Sequence, residues 1–275
     1  MIIKCGITGS TGSLGTIFVK KKTSFRFYKF KGDICNKQSL EKWVKKNNFD
    51  IFLHFAAIVP IQKVNKNQKK AYRVNYLGTK NIVDSILKFN NNLQWFFFSS
   101  TSHVYKSKIG KISENDILKP ISFYGLTKLK AERYIKKKFS NKIKYCIGRI
   151  FSTTHFHQKS SYFIPVIKKK ISQKNKKFLK FYNLNQFRDF ISPYDISNII
   201  ILLWKKKYQG IVNIGTGKKV LLKDIVLKLL KINNKNNYLF INKKKLTSLV
   251  ADISKLKSII KYKIKHSLQD MIFKY

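Results

Sequence analysis

Acidic residues are scarce in this chain. Twelve Asp plus Glu stand against 58 Lys plus Arg, a formal charge of +46. So basic a balance raises nucleic acid or an acidic membrane as a partner. The lysines, however, spread along the whole chain in short runs such as 20–22, 136–138, 168–170 and 243–245. A dedicated binding face would concentrate them, whereas scattered runs fit solvated helix ends and faces. Asn, Ile, Phe and Tyr are also heavily used and share AT-rich codons with Lys. No specific nucleic-acid partner is therefore expected, although the positive field should attract anionic small molecules. Cysteine is sparse as well. Cys5, Cys35 and Cys146 form no C-x-x-C pair and no metal-ligand spacing. That excludes a disulfide scaffold and a zinc site, and it fits free thiols in a reducing, cytoplasmic setting. Long apolar runs are missing: residues 199–204 are far too few to span a bilayer, so no membrane insertion is expected. A strand begins almost at the N-terminus, which leaves no room for a signal peptide.

Apolar residues make up 44% of the 275, enough for a sizeable core. Short apolar runs alternate with helical stretches over the first two-thirds, the pattern of a parallel sheet. Strands are predicted at 2–7, 25–30, 50–54, 95–98 and 144–150, and helices from Leu14, at 39–46, 72–89 and 124–139. The 72–89 helix rests on Val74, Leu77, Ile82, Ile86 and Phe89. Further on, a strand is predicted at 210–214, a helix at 222–230 and an apolar run at 238–241. The expected fold is a doubly wound Rossmann sheet: residues 1–150 form the dinucleotide-binding unit, and 151–275 supply the last strands plus a small substrate-binding lobe.

The first strand runs into Thr8-Gly9-Ser10-Thr11-Gly12-Ser13-Leu14-Gly15. Three glycines recur every third residue at a strand-to-helix turn. Lacking Cβ atoms, they let backbone N–H groups approach a phosphate at the positive end of the next helix. The position within the first βα unit points to a dinucleotide cofactor. Downstream lies Tyr124-Gly125-Leu126-Thr127-Lys128. Residues four apart share a helix face, so the lysine ammonium can stabilise a tyrosinate and tune the phenol for proton transfer. In a chain with 14 Tyr and so many Lys, the spacing alone also fits a surface pair. The serine-rich strand end Ser99-Ser100-Thr101-Ser102 places hydroxyls where open α/β sheets bind ligands, although ordinary turn chemistry would use the same residues.

Together these pieces resemble the extended short-chain dehydrogenases/reductases, which include nucleotide-sugar epimerases, dehydratases and reductases. Other segments match in order: Gly32-Asp33-Ile34, whose aspartate contacts adenine in the family; His54-Phe55-Ala56-Ala57, a turn with small residues against the cofactor; Asn75; and Arg188-Asp189-Phe190-Ile191, whose arginine meets the substrate diphosphate. Val212-Asn213-Ile214-Gly215 and the segment from Asp252 to Asp270 also match. The resemblance implies a catalytic set of Thr101, Tyr124 and Lys128. It implies a cofactor site of Gly9, Thr11, Gly12, Ser13, Leu14, Gly15, Asp33, Ile34, Phe55, Ala56, Ala57, Asn75 and Ser99, with Tyr124 and Lys128. Thr101, Ser102, Ser152 and Arg188 are the implied substrate contacts.

Three departures sharpen the expectation. Dehydratases of the family follow the threonine with Asp-Glu, whereas Ser102-His103 stand here; this disfavours a 4,6-dehydratase. No acid lies between Gly15 and Asp33, where NAD-preferring members hold the ribose; Arg26, Lys29 and Lys31 are there instead, a lean toward NADP over NAD. The family's Arg-x-x-Asn has Ser152 at its asparagine, after Arg149, and a serine cannot reproduce amide bonding. A lone His103 is read as structural, and His155 and His157 as substrate-lobe residues rather than metal ligands. The leading expectation is a reductase of a nucleotide-linked 4-keto-6-deoxy sugar. A 4-epimerase that retains its NAD is the alternative, and a non-catalytic, basic RNA-binding protein a further one. The resemblance also allows a homodimer through the helices at 72–89 and 124–139.

Overall fold

A computed structural model describes residues 2–156, 158, 161–173, 178–243 and 245–273. In chain order the first half reads β1 (Ile3–Thr8), α1 (Ser13–Val19), β2 (Phe25–Lys29), α2 (Lys37–Asn47), β3 (Ile51–His54), α3 (Ile61–Lys66), α4 (Gln68–Tyr72), a π-helical turn (Arg73–Gly78), α5 (Thr79–Phe89), β4 (Trp95–Thr101) and α6 (Phe123–Phe139). The second half continues with β5 (Tyr145–Ile150), β6 (Ser152–Thr153), α7 (Phe163–Ile171), β7 (Leu179–Tyr182), β8 (Gln186–Arg188), β9 (Phe190–Ile191), α8 (Pro193–Lys205), β10 (Gly210–Ile214), β11 (Val220–Leu221), α9 (Leu222–Ile232), β12 (Tyr238–Ile241), β13 (Thr247–Leu249), α10 (Ser254–Ile259) and α11 (Leu268–Phe273).

Six strands form one parallel sheet in the order β10-β5-β4-β3-β1-β2. The strand order reverses at β1/β3, the switch point where doubly wound sheets place ligands. Both faces are covered, which explains the apolar strands: Trp95, Phe96, Phe97 and Phe98 of β4 are all fully buried. On one face Phe97 packs with Phe18 of α1, Ile196, Ile199 and Leu203 of α8 and Leu256 of α10. On the other, Phe96 and Phe98 meet Leu40 and Val44 of α2, Ile82 and Ile86 of α5, and Ala131 and Ile135 of α6. A separate cluster joins α7, β7 and α9 through Ile167, Ile171, Phe181, Val226 and Leu229. Short pairings β11-β8-β13 and β12-β7 accompany this lobe.

Local chemistry marks the element ends. The Asn36 side chain accepts from Ser39 N–H at the start of α2, and Asn48 closes that helix in the left-handed region at φ 43°. Ser192 caps α8 with Pro193 next to it. Buried His54 bridges three elements: Nδ1 lies 2.7 Å from Thr8 Oγ1 and Nε2 2.8 Å from Thr79 Oγ1. Burial, with the nearby charge of Lys128, holds that imidazole neutral.

One expectation is refined. The helix predicted at 72–89 is helical throughout but begins as early as Gln68 and carries a π turn at Arg73–Gly78. The π turn accommodates one extra residue. Asn75 within it is pinned to the backbone of Ile58, and Gly78 lies so close to Ile34 that a Cβ would sit 2.6 Å from that side chain. Smaller differences extend the fourth strand to Thr101 and shift the first to Ile3–Thr8.

Candidate active site

The glycine loop owes its shape to close backbone packing. Gly9 has φ 73°, and a Cβ there would lie 2.5 Å from Ala56 N. A Cβ on Gly15 would lie 2.1 Å from the Gly9 carbonyl oxygen. The loop is thus pressed onto the Phe55–Ala56 turn at the carboxyl ends of β1 and β3. Gly12 is exposed and is the N-cap of α1, with no side chain capping the helix. The leading N–H groups are left for a phosphate. Half-buried Ala56 and Ala57 line the neighbouring wall. A cradle without side chains beside small residues fits a dinucleotide. Leu14 packs into the core, while Thr11 is exposed and Ser13 half-buried at the rim. Asp33 is exposed after β2, its Oδ1 accepting from Cys35 N–H at 2.9 Å. Asn75 is fully buried. Its amide is engaged with Ile58 N–H (2.7 Å), Ile58 carbonyl (3.0 Å) and Thr127 Oγ1 (3.3 Å). It therefore ties the turn after Ala57 to α6.

Thr101, Tyr124 and Lys128 converge beyond the end of β4. Ser122 caps α6, its Oγ accepting from Gly125 N–H at 3.1 Å. Gly125 permits α6 to dock on the segment after β4: a Cβ there would lie 2.1 Å from the His103 carbonyl oxygen. The docked helix directs Tyr124 and Lys128 inward, leaving them 7% and 1% exposed. Burial pushes the Tyr124 phenol up; neighbouring Tyr162 adds to this, and the Thr101 hydroxyl opposes it. Burial lowers Lys128 to about 7, against the opposing pull of Glu132. The Lys128 ammonium sits 4.1 Å from the centre of the Phe98 ring. Burial thus sets the direction for the phenol, and the opposing contribution comes from Thr101, not from the lysine.

Beneath the site lies a buried ion pair that the sequence reading missed. Arg149 on β5 donates through Nη2 to Glu132 Oε2 at 2.8 Å and through Nε to Oε1 at 3.1 Å. Ser100 Oγ donates to the same carboxylate. Arg149 Nη1 donates to Tyr105 Oη at 2.9 Å, and Tyr105 in turn donates to Asn213 Oδ1 at 2.6 Å. The network joins β4, β5, β10 and α6 under the active-site face. Glu132 follows Lys128 by four residues, so Tyr124, Lys128 and Glu132 share one helix face.

Arg188 on β8 lies near His103. Its guanidinium donates to Gln186 Oε1 and Thr247 Oγ1, and burial lowers it to about 10, still charged at neutral pH. Ser102 is buried at the strand end, and Ser152 pairs in register with Phe190. Ser99, half-buried on β4, lies opposite Gly148. Tyr162, ahead of α7, also escaped the sequence reading. Its hydroxyl neighbours Ser13 of the glycine loop, and it also neighbours Tyr124, so it reaches from lobe to loop. His155 is half-buried, and His157 lies outside the described residues. Among the described residues, no group of three or more His, Cys, Asp or Glu could hold a metal, and no helix is long and apolar enough to cross a membrane.

Comparison with known proteins adds three kinds of similarity. A family model described as GDP-mannose 4,6 dehydratase matches residues 4–275. GDP-6-deoxy-D-talose 4-dehydrogenase of Aggregatibacter actinomycetemcomitans is 26% identical over 272 residues, covering 94% of this chain and 91% of that protein. An uncharacterized UDP-glucose epimerase of Bacillus subtilis, YtcB, is 31% identical over 231 residues, covering 80% of this chain and 71% of its own. In fold, the structure of RMD from Pseudomonas aeruginosa complexed with NADPH superposes with a TM-score of 0.87 at 16% identity, covering 98% of this chain and 96% of that one.

Proposed function

The chain belongs to the GDP-mannose 4,6-dehydratase family of extended short-chain dehydrogenases/reductases, and from that premise we propose that it reduces the ketone of a nucleotide-linked 4-keto-6-deoxy sugar. The observation that carries this reading is the end of β4. Thr101 faces Tyr124 there, with Lys128 behind it, but the next residues are Ser102 and a His103 that burial and Arg188 lower to about 4. Eliminating water needs an acid and a base beside the sugar, and that pair is replaced by a hydroxyl and a neutral imidazole. Reduction needs only one proton donor and a hydride. The relative named a 4-dehydrogenase of a GDP-linked 6-deoxysugar supports the same chemistry, run in the opposite direction.

Bound reduced nicotinamide supplies the hydride. In this reading the loop from Gly9 to Gly15, with Thr11, Ser13 and Leu14, holds the diphosphate. Asp33 and Ile34 meet the adenosine end, and Phe55, Ala56, Ala57 and Ser99 lie along the cofactor. Asn75 fixes the wall that Ala57 belongs to. Tyr124, kept protonated by burial, gives its proton to the C4 oxygen as negative charge develops there. Lys128 stabilises the resulting tyrosinate, and Thr101 holds the sugar oxygen. Arg188 meets the sugar nucleotide's diphosphate; Ser102 and Ser152 complete the substrate wall. Exposed Lys29 and Lys31 at the carboxyl end of β2 favour NADPH over NADH, because cations suit a 2′-phosphate; Arg26 stands near the start of the strand. Three free thiols agree with a cytoplasmic enzyme. Exposed Leu77 and Leu126, on the π turn and α6, make that face the candidate surface for a homodimer.

The test is oxidation of NADPH and NADH by purified protein given a panel of nucleotide-linked 4-keto-6-deoxy sugars, with Tyr124→Phe as control. Turnover that collapses in the variant is expected, with NADPH preferred. The relative named as an epimerase supports a second reading, a 4-epimerase. No turnover, with NAD released on denaturation, would favour that reading over the reductase.

A further inference from the structure

His103 is held unusually firmly for a residue that the sequence reading left as structural. Its backbone N–H donates to Thr101 Oγ1 at 3.3 Å, and its carbonyl accepts from Ile121 N–H at 3.2 Å. Gly125 presses on the same carbonyl. The imidazole stands edge-on to the Tyr124 ring, with centroids 5.9 Å apart and planes at 68°. Nδ1 lies 3.2 Å from Ser122 Oγ. That oxygen already accepts from Gly125 N–H, and among the described residues its proton has no other acceptor. With the hydroxyl donating to Nδ1, the imidazole proton sits on Nε2. Nε2 is the atom farthest from the backbone, and it makes no hydrogen bond among the described residues. The residue as a whole is half-buried, and the imidazole lies close enough to Arg188 to feel that charge.

We propose that His103 is a substrate-binding residue whose Nε2–H donates a hydrogen bond to the sugar hydroxyl next to the carbon that reacts. This rests on the reductase reading above. In a 4-keto-6-deoxy sugar the carbons flanking C4 are C3, which carries a hydroxyl, and C5, whose side substituent is a methyl group. C5 also bears the ring oxygen, a poor acceptor, so the C3 hydroxyl is the better partner, and His103 reads that position while Tyr124 and Thr101 attend the C4 oxygen. An imidazole fixed by Ser122 and by the Tyr124 ring needs no reordering to do this. Burial, with the neighbouring charge of Arg188, keeps it neutral, so its part is to hold the sugar and not to move a proton.

The test compares wild type, His103→Phe and His103→Gln on a nucleotide-linked 4-keto-6-deoxy sugar and on its 3-deoxy analogue. Phe keeps the ring and removes the donor; Gln places an N–H near Nε2. The expected result is a loss of kcat/KM on the order of 10- to 100-fold for His103→Phe, mostly as a raised KM, because the bond is present in ground and transition states alike. His103→Gln should recover most of it, and the 3-deoxy analogue should not distinguish wild type from His103→Phe. NADPH affinity and the melting temperature should hold in both variants. Wild-type rates in His103→Phe would overturn the inference alone, as would equal losses in Phe and Gln variants that persist on the 3-deoxy analogue. A wild-type protein that turned over no such sugar would fail the reductase reading itself, and this inference with it.

Discussion

Replacing Lys128 with methionine should make the protein more stable while destroying its activity. Lys128 is 1% exposed, and burial brings its ammonium down from an ordinary 10.5 to about 7. A lowered lysine means the folded state binds fewer protons than the unfolded chain between those two values, so stability rises with pH across that window. Below about pH 7 both states are protonated and the full burial cost is present. At roughly 1.4 kcal/mol per pH unit the gap amounts to ~5 kcal/mol. Against it stands the contact with the Phe98 ring, 4.1 Å away, worth about 1 kcal/mol. Methionine fills a similar volume without charge. The net expectation for Lys128→Met is a gain of about 2–4 kcal/mol at pH 7, shrinking by ~2–3 kcal/mol at pH 9 as wild type is relieved. Urea unfolding of both proteins at pH 6, 7.5 and 9 reads this directly, since every other ionisable group is shared. A difference that stayed constant with pH, or widened as pH rose, would refute a charge buried at this position.

Three further outcomes follow from the same geometry. Tyr124→Phe should cut kcat by roughly 10²- to 10⁴-fold, the range for loss of a general acid, with NADPH affinity unchanged by fluorescence titration; a comparable loss of binding would mean the phenol holds the cofactor instead. Gly125→Ala must fit a Cβ 2.1 Å from the His103 carbonyl, so α6 has to move, and about 1–3 kcal/mol of stability should go; a melting temperature equal to wild type would contradict that packing. Glu132→Gln leaves the Arg149 charge buried without its carboxylate and should cost ~3–5 kcal/mol, whereas Glu132→Leu combined with Arg149→Met should cost less than the two single losses summed. Additive losses in that double-mutant cycle would show that the pair is not coupled.

The sheet was legible because its signals are local. Trp95–Thr101 reads as a strand covered on both faces, and the glycine spacing from Gly9 to Gly15 marks a turn that only close packing explains. The Y-x-x-x-K spacing placed Tyr124 and Lys128 on one helix face, and the structure directs both inward. The π turn was not legible: Leu77 is exposed, and the buried face runs through Asn75, Thr79, Ile82 and Ile86 at ordinary helical spacing. Glu132 could have been noticed four residues beyond Lys128, but its partner Arg149 lies across a strand, and no sequence pattern announces a long-range ion pair. Tyr162 carried no signal at all as one of 14 tyrosines; its place over Ser13 comes from how the lobe folds back. The role of His103 depended on a hydrogen bond to Ser122 and on the ring of Tyr124, neither visible before α6 was docked.

Isotope transfer follows the hydride itself, which in the reductase reading passes from a dissociable nicotinamide cofactor to C4 of a nucleotide-linked sugar. The protein is given NADPH deuterated at C4 of the nicotinamide, on either face in separate reactions, with a nucleotide-linked 4-keto-6-deoxy sugar. The sugar product is then read by mass spectrometry and NMR. One deuterium per product at C4 is expected from one of the two labelled cofactors. A product formed without deuterium from either cofactor would contradict it, because the hydride would then have come from a cofactor that never left the protein.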